Sequence, residues 1–367
     1  MHIDTHGADI YTASEKSGIH RDSILDFSSN INPLGIPESV KNAAIIAIEK
    51  SNKYPDINSR ELIKAISAAE NVPKEWIFPS NGAAEAIYRI VAYLKPKNGL
   101  VTAPAFSEYE ASLKAAGAEI KYHLLHEEQG FIVNDDVLKS IDDETDIVFL
   151  CNPNNPTGQL IKKATIEKIL NSCRDVGAYV VVDECFLDFV ENKNEYSVVN
   201  LLEMYDNLIV LKAFTKIYAI PGMRLGYCMS SNLNVIDKLK AFGPPWNVSS
   251  IAQEAGIAAL KEKDYVKSTI QFVKNERSYL YDELKKLQVK VFYSYANYLL
   301  FKISIPMDLK ERLLEKGILI RSCSNYKNLS SSFYRIAVKS HEENNLFVEA
   351  LKEVLKIYNR EESWLKS

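Results

Sequence analysis

The middle of the chain alternates between two kinds of segment, and this alternation restricts the possible folds more than any other feature. Between about residues 77 and 230, short apolar runs rich in β-branched residues are separated by longer runs with helical periodicity. Strands that alternate with helices form mainly parallel sheets covered by helices on both faces. The predicted strands are 100–103, 119–124, 146–150, 178–182, 208–211 and 224–229. The sequence therefore predicts a large α/β/α domain.

Two of the intervening helices carry recognisable start or stop signals. Apolar residues recur at helical spacing in two places, namely Ile87, Ile90, Val91 and Leu94, and then Ile166, Ile169, Leu170 and Cys173. The first set follows an Asn81-Gly82 start, and the second is followed by Gly177 as a stop. Polar residues that directly follow apolar strands, such as Asn152 and Asp183, are expected at the carboxyl edge of the sheet. Open α/β sheets bind ligands at that edge.

The pattern changes after Gly243-Pro244-Pro245. A long helix is predicted over roughly 249–287, followed by strands near 296–303, 317–321 and 333–338 and by a helix from about 342 to 358. This order indicates an α+β unit that is smaller than the first. We expect an N-terminal arm with part of the small domain at 1–50, a large domain at 51–245 and a small C-terminal domain at 246–367.

Charge and cysteine content exclude several classes of protein. A net charge of −4 gives no general attraction to nucleic acid, so anion binding must come from local arginines. The five cysteines form no Cys-x-x-Cys pair, which favours reduced thiols over disulfides or a zinc site. No apolar run approaches the ~18 residues of a membrane helix, and the first residues show no signal pattern. We expect a cytoplasmic protein with no membrane and no metal.

A lysine and an arginine at a fixed spacing are the residues that most clearly indicate the chemistry of this protein. Phe214-Thr215-Lys216 precedes Pro221-Gly222-Met223-Arg224-Leu225-Gly226-Tyr227. A desolvated amine is a good nucleophile, and a planar guanidinium binds phosphate with two hydrogen bonds. The segment resembles the lysine segment of the fold-type I pyridoxal-phosphate enzymes. The resemblance implies that Lys216 forms a Schiff base with the cofactor, and that Arg224 and Thr215 bind its phosphate.

Two further segments resemble the same family in the expected chain order. Asn152-Pro153-Asn154-Asn155-Pro156-Thr157-Gly158 is similar to a family turn in which the asparagine, here Asn155, hydrogen-bonds the 3′ oxygen of the cofactor ring. Asp183 ends an apolar strand. The resemblance implies that Asp183 pairs with the ring nitrogen. A ring kept protonated in this way accepts electrons when a bond at Cα of the substrate breaks.

Three shorter segments complete the resemblance, which extends from about residue 6 to residue 340. The small residues Ala83 and Ala84 open a helix whose positive end suits a phosphate, and the resemblance implies that their amides bind it. Phe106 matches the aromatic residue that stacks on the cofactor ring. Tyr54, in Tyr-Pro-Asp, matches a tyrosine that reaches the cofactor phosphate of the partner subunit. The implied protein is a homodimer with shared active sites and the type I transferase fold, α/β, with a large mainly parallel α/β/α domain and a smaller α+β C-terminal domain.

The residues expected to bind the substrate lie at the two ends of the chain. In the aminotransferases of this family a late arginine, matched here by Arg335, holds the substrate carboxylate. His6-Gly7, the Asn32-Pro33-Leu34-Gly35 turn and a second arginine, Arg321, resemble the threonine-phosphate decarboxylases of cobalamin biosynthesis. That resemblance implies a small phosphorylated amino acid whose phosphate is held by His6, Arg321 and Arg335. The histidinol-phosphate aminotransferases are the nearest alternative, because Arg335 on the carboxylate would favour amino transfer.

Some positions depart from the family pattern. Phe186 stands where many aminotransferases have a tyrosine, and Ala213 replaces a frequent phosphate-binding hydroxyl residue. Ala8 and Ser322 stand where the decarboxylases commonly have glycine and aspartate. Other classes fit less well. A nicotinamide dehydrogenase would need Gly-x-Gly-x-x-Gly after its first strand, and a non-catalytic relative would be expected to lose Lys216 or Asp183.

Overall fold

The structure, a computed structural model, describes residues 7–365, with side chains described as far as residue 358. Its strands are Leu25–Asp26 (β1), Ile77–Ser80 (β2), Asn98–Ala103 (β3), Glu119–Leu124 (β4), Ile147–Cys151 (β5), Tyr179–Asp183 (β6), Leu208–Ala213 (β7), Gly226–Met229 (β8), Lys290–Val291 (β9), Tyr298–Lys302 (β10), Ile318–Leu319 (β11), Arg321–Ser322 (β12) and Phe333–Ala337 (β13). Its helices are Ile10–Ser17 (α1), Glu38–Glu49 (α2), Arg60–Glu70 (α3), Gly82–Leu94 (α4), Ser107–Ala115 (α5), Lys163–Asp175 (α6), Phe214–Ile217 (α7), Leu233–Ala241 (α8), Ser250–Ala259 (α9), Lys263–Lys286 (α10), Leu309–Leu314 (α11) and His341–Leu365 (α12).

The large sheet contains every strand predicted between residues 100 and 229. Its order is β2-β8-β7-β6-β5-β3-β4, and only β8 runs antiparallel to its neighbours. The mainly parallel sheet is therefore confirmed. The edge strand β2 was not predicted, because it is short and contains Pro79. Proline is tolerated in a strand at the edge of a sheet, where its missing N–H leaves no gap between two paired strands.

Both faces of this sheet are covered by helices. Along β5, Val148 and Leu150 join one apolar cluster while Ile147 and Phe149 join another, as the two-residue period of a strand requires. Residues of α3, α6 and α9 fill the first cluster, and residues of α4, α5 and α8 fill the second. This three-layer core holds the carboxyl ends of the parallel strands in fixed positions.

The smaller domain packs around an antiparallel sheet of order β12-β13-β10-β9. Its core combines strand residues such as Phe301 and Ile336 with Leu280 of α10 and Phe347 of α12. The N-terminal arm joins this domain, because β1 pairs in parallel with β11. The predicted α+β C-terminal unit is thus present, with the arm as an added part.

The structure moves two of the expected boundaries. The helix predicted over 249–287 is two helices, and α9 packs in the core of the large sheet through Ala252 and Ala255. The large domain therefore extends past residue 245 to the end of α9. Within 1–50, Ala13 of α1 packs with Leu319 of the small domain, whereas Val40 of α2 packs in the large core. No helix among the described residues has the length and apolar composition needed to cross a membrane.

Candidate active site

A cavity of about 410 Å³ lies where the carboxyl ends of β5, β6 and β7 meet the small domain and the arm. Most of the predicted site residues line it, although they come from distant parts of the chain. These residues are Ala83, Ala84, Phe106, Asn155, Asp183, Thr215, Lys216, Arg224, Arg321 and Arg335. The structure thus brings these ten predicted residues into one place.

Lys216 enters the cavity from the short helix α7, directly after β7. Burial, followed by the nearby charge of Arg335, lowers the pKa of its amine to about 8. A larger fraction of the amine is therefore neutral near neutral pH than in an exposed lysine. Such an amine can attack a carbonyl carbon and can exchange protons with a bound substrate.

Arg224 and the start of α4 form an anion-binding cradle at one end of the cavity. Gly82 has a φ of +74°, and a Cβ there would lie 2.6 Å from a terminal nitrogen of Arg224. Glycine is therefore required for the guanidinium to approach the helix so closely. The backbone amides of Ala83 and Ala84 and the hydroxyl of buried Thr215 line the same region. Amides at a helix start beside a guanidinium suit a phosphate dianion.

Asp183 is the last residue of β6, and two donors hold its carboxylate. The Tyr109 hydroxyl donates to Oδ2 over 2.7 Å, and the Cys185 amide donates to Oδ1 over 2.9 Å. Asp183 is buried but lines the cavity. The ring of Phe106, another lining residue, meets the Tyr109 ring edge-on, with centroids 5.7 Å apart. The Asp183 carboxylate is therefore fixed in orientation and can accept a hydrogen bond from a ring nitrogen of a ligand. The Phe106 ring beside it can stack on the ring of that ligand.

Asn155 is tied to Arg335 across the two domains. Arg335 donates to Asn155 Oδ1 over 2.5 Å and to the Ser28 carbonyl over 2.7 Å. This bond uses the amide oxygen of Asn155 and leaves its NH₂ group to donate elsewhere. The Nε atom of Arg335 is buried and has no hydrogen-bond partner among the described residues. Since a buried donor without a partner is costly, Arg335 is suited to receive an additional acceptor.

The two arginines of the small domain stand side by side. Arg321 on β12 and Arg335 on β13 are directly paired in the antiparallel register, and both are about 95% buried. Arg321 donates to Asn325 over 2.9 Å, and its guanidinium lies 5.6 Å from the centre of the Tyr326 ring. Like charges opposite one another destabilise a strand pair. Anions in the cavity would relieve that repulsion.

Two predicted residues lie outside the cavity, and a third is not among the described residues. Asn32 does not line the cavity: its amide donates to the Ile217 carbonyl and to the hydroxyls of Tyr265 and Thr269. Asn30 lines the cavity instead, and its buried Oδ1 has no partner among the described residues. Tyr54 is 81% exposed outside the cavity, and His6 lies outside the described residues.

Several lining residues were not assigned to the site from the sequence. Cys185 and Tyr326 line the cavity together with Asn30. Phe186, singled out as a departure from the family, also lines it and packs edge-on against Tyr298 at 5.0 Å. Cys185 could have been identified because it lies two residues after Asp183, where the chain leaves the strand. Tyr326 follows Arg321 in a loop whose path the sequence does not indicate.

A larger cavity of about 670 Å³ lies behind β7, around Lys212. The Lys212 amine lies 2.8 Å from the Glu70 carboxylate and 3.7 Å from that of Glu184. The Lys193 amine likewise lies 2.6 Å from Asp188. These charges neutralise one another, and the pairs of Lys212 tie β7 to its neighbours, so the cavity in front of Lys216 is the candidate site.

The residues of the cavity fit pyridoxal phosphate, the cofactor implied by the sequence. The cradle made by Gly82 and Arg224 suits its phosphate, and Asp183 suits its ring nitrogen. Asn155 has an NH₂ group to offer its 3′ oxygen, and Lys216 has the perturbed amine needed for a Schiff base. The protein thus offers a complementary group for each of these functional groups of the cofactor.

The chain is similar to a known protein family and to several known proteins over most of its length. The model of the family "Aminotransferase class I and II" matches residues 22–351. The threonine-phosphate decarboxylase of Salmonella typhimurium is 36% identical over 352 residues, which cover 95% of this chain and 96% of that protein. The adenosylcobalamin biosynthesis bifunctional protein CobDQ of Leptospira interrogans is 34% identical over 96% of this chain and 41% of its own length. The solved histidinol-phosphate aminotransferase of Clostridium acetobutylicum superposes with a TM-score of 0.85 at 34% identity, covering 90% of this chain and 99% of that one.

Proposed function

Because the chain belongs to the aminotransferase class I and II family, we propose that it binds pyridoxal phosphate through Lys216 and decarboxylates L-threonine O-3-phosphate. The product is (R)-1-amino-2-propanol O-2-phosphate, a precursor in cobalamin biosynthesis. The observation that carries the proposal is the pair of buried arginines, Arg321 and Arg335, on adjacent strands facing Lys216. The similarity to the Salmonella decarboxylase over nearly the whole chain supports the same reaction.

The cofactor and the protein have separate tasks. Pyridoxal phosphate supplies an electron sink for the pair of electrons released when a bond at Cα breaks. Arg224, Thr215 and the amides of Ala83 and Ala84 hold its phosphate, and Asp183 holds its ring nitrogen. Phe106 covers the ring. These contacts leave the opposite side of the cavity, formed by the small domain and the arm, to the substrate.

The arginine pair suits a substrate with a doubly charged anionic group. The phosphate of threonine phosphate carries up to two negative charges, which match the two positive charges that the small sheet brings together. We assign the phosphate to Arg321 and Arg335, with His6 as a further ligand. Held by its phosphate, the substrate would keep its carboxylate away from the arginines. The bond between Cα and the carboxylate would then be the one on which the electron sink of the cofactor acts.

Lys216 completes the reaction as a proton donor. Its Nζ atom lies in the same cavity, and a pKa of about 8 lets it gain and lose a proton under physiological conditions. After carbon dioxide leaves, Nζ delivers a proton to Cα of the substrate. The reaction therefore depends on Arg321 and Arg335 to orient the substrate and on Lys216 to protonate it.

Histidinol-phosphate aminotransferase is the second candidate. The superposition on the Clostridium enzyme favours it, and the same arginine pair would bind its phosphorylated substrate. The two candidates differ in the bond that breaks. Histidinol phosphate has no carboxylate, so the C–H bond at the carbon that bears its amine is the one that breaks, and Arg335 would hold a carboxylate only when the keto-acid partner occupies the site.

One incubation separates the candidates. The protein, loaded with pyridoxal phosphate, is mixed with threonine phosphate in the absence of any keto acid, and carbon dioxide is measured. The decarboxylase releases carbon dioxide over many turnovers. An aminotransferase releases none and stops after converting its cofactor to pyridoxamine phosphate. A parallel incubation with histidinol phosphate and 2-oxoglutarate tests the second candidate directly.

We further propose a homodimer in which Tyr54 of each subunit completes the site of the other. Tyr54 is stacked on Trp246 with ring centroids 4.6 Å apart, on the outside of its own subunit. Nearby helix α2 exposes Ile45, Ile46 and Ile48, each about half accessible. Such an apolar face favours burial against another protein surface. A second copy of the chain would cover it and bring Tyr54 to a phosphate cradle.

A further inference from the structure

The buried hydroxyl of Tyr109 forms a hydrogen bond inside the protein, directly behind the active-site cavity. Tyr109 is fully buried on α5, and its ring is stacked on Phe149 of β5 with centroids 5.0 Å apart and planes 9° from parallel. Its hydroxyl donates a hydrogen bond to the carboxylate of Asp183 over 2.7 Å. Because the ring is fixed by packing, the hydroxyl approaches the carboxylate from one defined direction.

We infer that Tyr109 is a positioning residue for the cofactor, acting through Asp183. With Oδ2 held by Tyr109 and Oδ1 held by the Cys185 amide, the Asp183 carboxylate cannot rotate. A carboxylate has about four acceptor positions, so two donors leave room for a ring nitrogen on the cavity side. Tyr109 thus determines which lone pairs of Asp183 meet the ring. The inference depends on the proposed cofactor.

The same hydrogen bond moderates the charge that the cofactor experiences. A phenol that donates to a carboxylate spreads its negative charge away from the cavity. Burial, and then the charge of Asp183, raises the pKa of Tyr109 well above its usual value, so the phenol remains a donor at every working pH. Without this donor, the negative charge of the Asp183 carboxylate is more localised and its orientation is less fixed. The more localised charge makes the nitrogen that joins Lys216 to the cofactor more basic.

The test replaces Tyr109 by phenylalanine, which keeps the stacked ring and removes only the hydroxyl. We expect the dissociation constant of pyridoxal phosphate to rise about tenfold, the size of one hydrogen bond to a charged group. The pH titration of the bound-cofactor absorbance should shift upward by about half a unit. The turnover number should fall by about tenfold while KM changes by less than about threefold, as expected for a group that is not a substrate ligand.

Tyr205→Phe is the matched control. Tyr205 is also a buried tyrosine with a side-chain partner, Asn171 Oδ1 at 3.3 Å, but it lies in the core on the other face of the large sheet. Its loss should leave the cofactor affinity and the absorbance titration unchanged. If Tyr109→Phe gives the same values as Tyr205→Phe, the inference is wrong.

A double variant separates positioning from general packing. In the Asp183→Asn background, Tyr109→Phe should cause little further loss of cofactor affinity, because the two residues act as one unit. An equal loss in both backgrounds would show that Tyr109 acts only on the fold and would overturn its role. Affinity and titration need no substrate, so a failure to turn over threonine phosphate would refute the proposed reaction and leave this result standing. If the unchanged protein showed no cofactor absorbance, both the cofactor and the role of Tyr109 would be refuted.

Discussion

Replacing Arg321 by alanine removes one of the two guanidinium groups that the small sheet directs at the cavity. Asn325 and the Tyr326 ring already hold this group in place, so little side-chain entropy remains to be lost when an anion binds. One charge-assisted hydrogen bond contributes about 1.5–3 kcal/mol. Arg321→Ala should therefore weaken the binding of threonine phosphate by about tenfold to a hundredfold. Binding of free threonine, which has no phosphate, should change far less.

The assay measures both affinity and products. Dissociation constants for threonine phosphate and threonine are obtained from changes in cofactor absorbance, and aminopropanol phosphate and pyridoxamine phosphate are quantified after turnover. A substrate whose phosphate is poorly held no longer presents one bond reliably, so the variant should form a larger share of pyridoxamine phosphate than the unchanged protein. Arg321→Lys keeps the charge without the two-pronged geometry and should fall between the two.

Arg277→Lys controls for damage to the small domain. Arg277 is also a buried arginine, but it donates to the carbonyls of Tyr295 and Ala296 and does not line the cavity. We expect Arg277→Lys to lower thermal stability about as much as Arg321→Ala does, without a selective loss of affinity for the phosphate of the substrate. The assignment of Arg321 would be refuted if Arg321→Ala weakened both ligands equally. Formation of pyridoxamine phosphate alone by the unchanged protein would refute the decarboxylase and favour the aminotransferase.

Lys216→Ala should abolish turnover and the absorbance of the lysine-bound cofactor; absorbance that survived borohydride treatment and dialysis would identify another lysine as the attachment point. Capture of pyridoxal phosphate by the cofactor-free protein should accelerate as pH rises through about 8, where the Lys216 amine loses its proton. Arg335→Met should move that midpoint to higher pH by removing a neighbouring positive charge, and an unchanged midpoint would argue against their coupling. Mixing Tyr54→Phe subunits with Lys216→Ala subunits should restore activity, because half of the heterodimer sites then carry neither change. No recovery in verified heterodimers would contradict the shared site, as would a protein that is monomeric at every concentration.

The order of strands and helices in the large domain could be predicted because its signals are local. Buried parallel strands are apolar and β-branched, and their ends are marked by polar residues such as Asn152 and Asp183. The break between α9 and α10 could not be predicted in this way. Residues 260–262 contain neither proline nor glycine, and the chain turns there because α9 packs on the large core while α10 packs on the small one.

The site was predicted best where it rests on fixed spacing. Lys216 and Arg224 are eight residues apart and meet the same cavity. Asn30 and Asn32 show the limit of such reasoning, because they are two residues apart and only the packing of Asn32 against α10 decides which one lines the cavity. Tyr109 could have been noticed, since it lies three residues after Phe106. Its partner Asp183, however, is distant in sequence and is found only from the fold.

The arginine pair lies on β12 and β13 of the small sheet, whereas Asp183 ends β6 of the large sheet and Lys216 and Arg224 lie between its strands β7 and β8. Substitutions on the small sheet can alter which acid is recognised without disturbing the strands that carry the cofactor residues. The converse also holds, because a gene lineage can preserve its chemistry in the large domain while its small domain adapts to a new metabolite. Decarboxylases and aminotransferases of one ancestry could diverge in this way through a few changes around two arginines.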